Sequence, residues 1–153
     1  MHFLELKIPP PVAAILIGAA MWLASRSGPS IDLPLLVRGV AFAAISLVGG
    51  AAALAGDLAF RRAQTTINPF KPQNTSALVT SGVYRFTRNP MYLGLLLVIL
   101  GECAFLCSAP ALLGPVAFVA YITRFQIVPE ERALRAKFGT AYSAYLARVR
   151  RWL

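Results

Sequence analysis

Residues 82–94 read Gly-Val-Tyr-Arg-Phe-Thr-Arg-Asn-Pro-Met-Tyr-Leu-Gly, and within them a basic polar segment turns into an apolar run. Arg85 and Arg88 come just before Asn89 and Pro90, and residues 91–107 then carry Glu102 as their one charged side chain. Asparagine favours the cap position of a helix, and proline the first helical position, where its missing N–H costs nothing. The stretch is therefore the start of a helix at a membrane surface, its free N–H groups beside two arginines. Such a start suits a carboxylate or a phosphate. The same residues equally suit a plain cap with arginines anchored to lipid headgroups.

The composition carries this reading to the whole chain. Of the 153 residues 58% are hydrophobic and 14% charged, and the apolar residues come in blocks. That is the pattern of a membrane protein, so the expected fold is all-α: a polytopic bundle of about four transmembrane helices with a C-terminal amphipathic segment. The net charge of +9 raises the question of nucleic acid. The basic residues cluster next to apolar runs, as headgroup-facing cations do, and form no basic groove interleaved with stacking aromatics, which argues against a nucleic-acid partner. Cys103 and Cys107, at helical spacing in an apolar run, read as small core residues. His2 is the one histidine, so no zinc constellation is expected, and no metal.

In chain order, Pro9, Pro10 and Pro11 form a rigid lead-in to the apolar residues 12–24. A span needs about 20 residues. The run is short for that and resembles a signal sequence in length, but the prolines before it and the single strong cation Lys7 favour a first membrane helix extended at both ends. Gly28, Pro29, Asp32 and Pro34 mark a turn. A second helix is expected over residues 35–58, with Arg38 near its start and with Ser46, Gly49, Gly50 and Ala53 admitting a close neighbour. Asp57, Arg61 and Arg62 close it. Residues 63–81, with Asn68, Pro69, Pro72 and Asn74, form a long loop, and connections of such length commonly carry function. The end of this loop, residues 78–84, is expected to run extended over the bundle.

The third helix should run from Pro90 to about Cys107. A turn at Ser108, Ala109 and Pro110 then leads to a fourth helix ending near Val128, which completes an antiparallel hairpin. Pro129 is expected to break or kink the chain. Beyond it Leu134, Phe138, Tyr142, Tyr145 and Val149 recur at three- and four-residue steps, with Gly139 as an interruption. The expected layout is one domain: a helix pair (1–62), a loop (63–89), a membrane hairpin (90–128) and a helical tail (129–153).

Charge sets the orientation. Arg61, Arg62, Lys71, Arg85 and Arg88 lie in the loop, and Arg132, Arg135, Lys137, Arg148, Arg150 and Arg151 in the tail, while the opposite connections have few charges. By the positive-inside rule loop and tail are cytoplasmic, as in a bacterial-type inner membrane. The start at Asn89 and Pro90, the pair Glu130 and Glu131, and the arginine-rich tail should thus meet at one cytoplasmic corner.

The segment Leu-Val-Thr-Ser-Gly-Val-Tyr-Arg-Phe-Thr-Arg-Asn-Pro-Met-Tyr-Leu-Gly is followed by one hairpin and then by Pro-Glu-Glu-Arg-Ala-Leu-Arg-Ala-Lys-Phe-Gly. Two separated motifs in this order resemble the catalytic half of the isoprenylcysteine carboxyl methyltransferase family, and are similar to the related integral-membrane phospholipid methyltransferases. The resemblance covers about residues 78–150. It implies S-adenosylmethionine as cofactor, held in a cytoplasm-facing pocket by Tyr84, Arg88, Asn89, Pro90, Tyr92, Glu130 and Glu131. It further implies a lipophilic or lipidated acceptor taken from the membrane lipids, and catalytic roles for Arg148 and Glu131. Many members have histidine where this chain has Asn89, and asparagine can cap but cannot titrate.

Methyl transfer from a sulfonium depends on in-line positioning, which is worth about 7 to 11 kcal/mol. In this reading the N–H groups after Asn89, with Arg88, hold the cofactor carboxylate. Glu130 or Glu131 holds its ammonium or ribose, and Arg148 orients an anionic acceptor. Tyr142 and Tyr145 read better as interfacial aromatics. Glu102 stands apart, since a carboxylate inside a span points to function. It is open to pairing with Arg38 or Arg124, and it supports the alternative of a small proton-coupled transporter. A non-catalytic relative of the family is the other alternative. Neither the acceptor's reacting group nor the oligomeric state can be read from the residues.

Overall fold

The computed structural model describes residues 5–64 and 77–153. His2, and Asn68, Pro69, Lys71, Pro72 and Asn74 of the long loop, fall outside them. Five α-helices follow one another: α1 (Pro10–Ala24), α2 (Leu35–Arg62), α3 (Pro90–Leu106), α4 (Leu113–Ile122) and α5 (Val128–Arg148), the last two joined by a π-turn over Thr123–Ile127. Among the described residues the sole β pairing is a bridge between Ser30 and Ser108. It ties the α1–α2 connection to the α3–α4 turn, with Ile31 N–H donating to the Cys107 carbonyl.

Two helices are long and apolar enough to cross a membrane, Leu35–Arg62 and the continuous Ala109–Arg148; Pro10–Ala24 and Pro90–Leu106 are apolar but shorter. On α2, Leu35, Leu36, Val40, Leu47 and Val48 are all more than half exposed. In water such a surface would drive aggregation, whereas in a bilayer it is the solvated face. The apolar part of the final helix ends at Val128. Beyond it Glu130, Glu131, Arg132, Arg135 and Lys137 give α5 a charged surface.

Small residues set the packing of α2 on α3. Gly56 faces Pro90 and Met91, Gly49 faces Gly94, and Phe42 and Ser46 face Gly101, so the two helices run antiparallel. Ser46, Gly49 and Ala53 thus form the expected close face, while Gly50 points into open space. A Cβ on Gly94 would lie 2.5 Å from the Gly49 carbonyl oxygen and 2.9 Å from the Ala53 Cβ. Neither is a flexible tip that can swing away. Gly94→Ala is expected to cost about 2 kcal/mol through overpacking, read as a lower melting temperature in detergent. Gly50→Ala, which meets nothing, should leave that temperature unchanged or raised.

On the other side of α3, α1 packs through Gly18, where a Cβ would sit 2.5 Å from a Glu102 carboxylate oxygen. The glycine makes room for the acid. Arg38 and Arg124, the two pairings left open for Glu102, are engaged elsewhere: Arg38 Nε donates to the Phe105 carbonyl and Arg124 pairs with Glu5 at 2.8 Å. The apolar core lies between α1, α3 and α4, with Met21, Ile99, Phe118, Ile122 and Ile127 all buried.

Candidate functional site

Residues 77–89 approach α3 through a tight turn. Gly82 adopts φ +60°, a left-handed conformation open to glycine at little cost, and a single 3-10 turn follows over Gly82–Arg85. The chain is therefore coiled rather than extended at Tyr84. That turn carries the Tyr84 ring inward, edge-on to Phe60 at 5.3 Å, and its backbone carbonyl accepts a 2.7 Å hydrogen bond from the Tyr145 hydroxyl. Burial holds the Tyr84 hydroxyl well above its usual pKa, so it remains a neutral donor.

Asn89 occupies the cap position of α3, but its side chain does not cap. Its Nδ2 instead donates to the Arg151 carbonyl at 2.9 Å, and its backbone N–H donates to Thr87 Oγ1 at 3.2 Å. Arg88 N–H donates to the Arg150 carbonyl. The asparagine thus pins the C-terminal segment to the start of α3, and among the described residues no side-chain cap is made there.

Pro129 does not break the last helix. A proline inside a helix lacks an N–H and crowds the carbonyl four residues earlier. Here that carbonyl belongs to Phe125, inside the π-turn, and it accepts a 3.0 Å hydrogen bond from Leu6 N–H. The widened turn absorbs the proline and delivers Glu130 and Glu131 onto the start of α3. Glu130 accepts a 2.5 Å hydrogen bond from the Tyr92 hydroxyl. Glu131 takes Arg151 in two-pronged contact, with Nε at 3.0 Å and Nη2 at 2.7 Å, and Arg88 Nη1 at 3.1 Å. Burial pushes Glu130 up to about 7, while the Tyr92 hydrogen bond pulls the other way. Arg88 Nε is buried and has no hydrogen-bond partner among the described residues.

These groups surround a cavity of about 670 Å³. Tyr84, Arg88, Asn89, Pro90, Tyr92, Glu130 and Glu131 all line it, together with Asp57, Phe60, Leu134, Tyr142 and Tyr145. Leu54 lines it too and is 57% exposed, so the cavity reaches the apolar surface of α2. Arg148 is not part of this lining: it is exposed and its Nε donates to Ala144 within its own helix. The arginines at the cavity are Arg88, in its lining, and Arg151, through Glu131. Tyr142 and Tyr145, expected at the membrane interface, are 2% and 4% exposed, line the cavity with Leu134, and pack with Phe138 beneath it. Gly139, at φ +50°, interrupts α5 as expected. Sequence reasoning counted Arg151 only as a tail charge and Asp57 only as a helix end. The i,i+3 spacing of Tyr142 and Tyr145, on the stripe shared with Leu134 and Phe138, was the signal for their burial.

The sequence profile of the family described as phospholipid methyltransferase matches residues 37–141. The chain belongs to this family. The matched region takes in α2, α3, α4 and most of α5, and so both walls of the cavity. A 63-residue stretch is 46% identical to an uncharacterised protein of Haemophilus influenzae, covering 41% of this chain and all of that protein. A probable protein-S-isoprenylcysteine O-methyltransferase of Oryza sativa subsp. indica is 40% identical over 75 residues, which are 47% of this chain and 38% of that one. Protein-S-isoprenylcysteine O-methyltransferase B of Arabidopsis thaliana is 33% identical over 91 residues, 58% of this chain and 45% of that one. The chain thus spans less than half the length of these plant relatives. No solved structure matches it.

Proposed function

We propose that this phospholipid methyltransferase family member is an S-adenosylmethionine-dependent methyltransferase of a bacterial-type inner membrane, with four spans, its cavity and C-terminus facing the cytoplasm. The observation that carries the proposal is the donor set at the cavity. A buried, unpartnered Arg88 Nε and the uncapped start of α3 lie beside a buried carboxylate, Glu130. A zwitterionic amino-acid group needs that combination: donors for its carboxylate and an acceptor for its ammonium. The cofactor's sulfonium supplies an electrophilic methyl group. The chain itself binds and orients: Arg88 and the α3 N–H groups hold the carboxylate, Glu130 the ammonium or ribose, and Tyr84, Tyr92 and Tyr145 wall the site against water.

The acceptor enters from the bilayer side, where the cavity opens at Leu54. Arg148, exposed on the far side of α5, does not reach it from this position. The plant relatives make an isoprenylcysteine-type carboxylate the first acceptor to try, and a phospholipid amine the second.

Calorimetry with S-adenosylhomocysteine on detergent-purified protein tests the cofactor half. Saturable one-to-one binding is expected, and no binding by folded protein in detergent and in nanodiscs would refute it. Transfer of labelled methyl from S-adenosylmethionine into organic-extractable material, with prenylcysteine and phospholipid acceptors supplied separately, tests the acceptor. The transporter alternative finds no support in the cavity, since Glu102 does not line it and lies against Gly18.

A further inference from the structure

Residues 5–9 run across the π-turn. Glu5 reaches two arginines, Arg124 within this turn at 2.8 Å and Arg132 one turn into α5 at 3.3 Å. The Glu5 side chain is only 10% exposed. Leu6 N–H takes the Phe125 carbonyl that Pro129 leaves free, and the Ile8 carbonyl accepts from Gln126 Nε2 at 2.7 Å. Contacts to Arg124, Phe125 and Gln126 therefore hold one five-residue turn, and Pro10 and Pro11, which follow the segment as the first residues of α1, line the cavity.

A π-turn inserts an extra residue into a helix and rotates everything after it by about 100° relative to an uninterrupted α-helix. Glu130 and Glu131 reach the start of α3 only in that rotated phase. An uncharged side chain at position 5 would leave Arg124 and Arg132 to repel one another across the turn. We infer that Glu5 is a positioning residue for the cavity: its bridge of Arg124 and Arg132 locks the π-turn and so the phase of α5 that presents Glu130 and Glu131. This rests on the cofactor reading of those two carboxylates.

Trp152 supplies a local reporter, because its indole N–H donates to Thr123 Oγ1 at the first residue of the turn. In a Trp22→Phe background it is the one tryptophan left. The experiment compares Glu5→Gln and Glu5→Asp with the parent by S-adenosylhomocysteine calorimetry, Trp152 emission and melting temperature. Glu5→Gln should bind about tenfold more weakly, the size expected of a substitution acting through an intervening element, with a shifted Trp152 emission. Glu5→Asp should recover part of both.

Equal affinity in parent and Glu5→Gln overturns the inference and leaves the cofactor reading standing. A lower melting temperature with unchanged affinity in the folded protein overturns it too, since it assigns Glu5 a structural role alone. If the parent itself binds nothing, the cofactor reading fails, and an unshifted Trp152 emission in Glu5→Gln then decides against the Glu5 lock on the π-turn as well. Should Glu5→Gln not fold, Arg124→Gln, which keeps the Arg132 pair, takes its place with the same expected losses.

Discussion

Glu131→Ala is expected to weaken S-adenosylhomocysteine binding by about a hundredfold or more and to destabilise the protein by about 3 kcal/mol, the lower end of the cost of breaking a buried ion pair. The reason lies in what remains. Glu131 is 15% exposed and is shared by Arg88, 13% exposed, and Arg151, 36% exposed. Without it two guanidinium groups face each other in a half-closed site with the carboxylate they shared gone. Arg88 would then turn away from the cavity, taking with it the donor assigned to the cofactor carboxylate. Arg151→Ala should cost much less, about 1 kcal/mol, because the more exposed partner is lost and the Arg88 pair survives. Glu131→Gln should fall between them. Calorimetry and thermal unfolding on the same preparations separate the two effects, and a Glu131→Ala protein with parental affinity and stability would remove Glu131 from the site.

The fold was legible where single residues fix backbone geometry. Asn89 and Pro90 marked the start of α3, Gly28 to Pro34 the first turn, and Gly139 the interruption of α5, because each acts through local sterics that need no partner. Arg88, Glu130 and Glu131 could be placed at one corner because a hairpin returns its second strand of chain to the level of its first. Two kinds of feature escaped. Pro129 was expected to break or kink the chain, and the π-turn that carries the helix through it was not foreseen, since nothing local announces one: its relief comes from Leu6, some 120 residues earlier in the chain. Arg148 and Arg151 are only three residues apart in a basic tail, and which of them meets Glu131 depends on where α5 ends. The helix stops at Val149, which is extended, so Arg151 turns back to the cavity while Arg148 stays on the outer face. Asn89 shows the same limit from another side. Its position at the helix start was readable, but its side chain serves the distant Arg151 carbonyl rather than its own helix.

Glu130 should make cofactor binding depend on pH in a direction opposite to its effect on stability. Burial raises its pKa from 4.5 to about 7, so the folded, ligand-free protein favours the protonated acid. Across that interval the folded state binds more protons than the unfolded one, and the stability of the free protein should fall as pH rises from about 5 to about 7. An ammonium needs the ionised carboxylate, and a ribose hydroxyl donates more strongly to it than to the neutral acid. Affinity for S-adenosylhomocysteine should therefore rise with pH to a plateau above about 8. Each unit below the pKa costs about tenfold, giving a loss of about a hundredfold at pH 5. Glu130→Gln removes both slopes at once, holding affinity near the low-pH level throughout. The Tyr92 hydroxyl would then donate to an amide oxygen instead of a carboxylate. Calorimetry in buffers of different ionisation heat adds an independent check, since binding below pH 7 must release a proton from the parent and none from Glu130→Gln. A flat affinity profile in the parent, with no released proton, would take Glu130 out of contact with the ligand and leave the Tyr92 hydrogen bond as a purely structural link between α3 and α5.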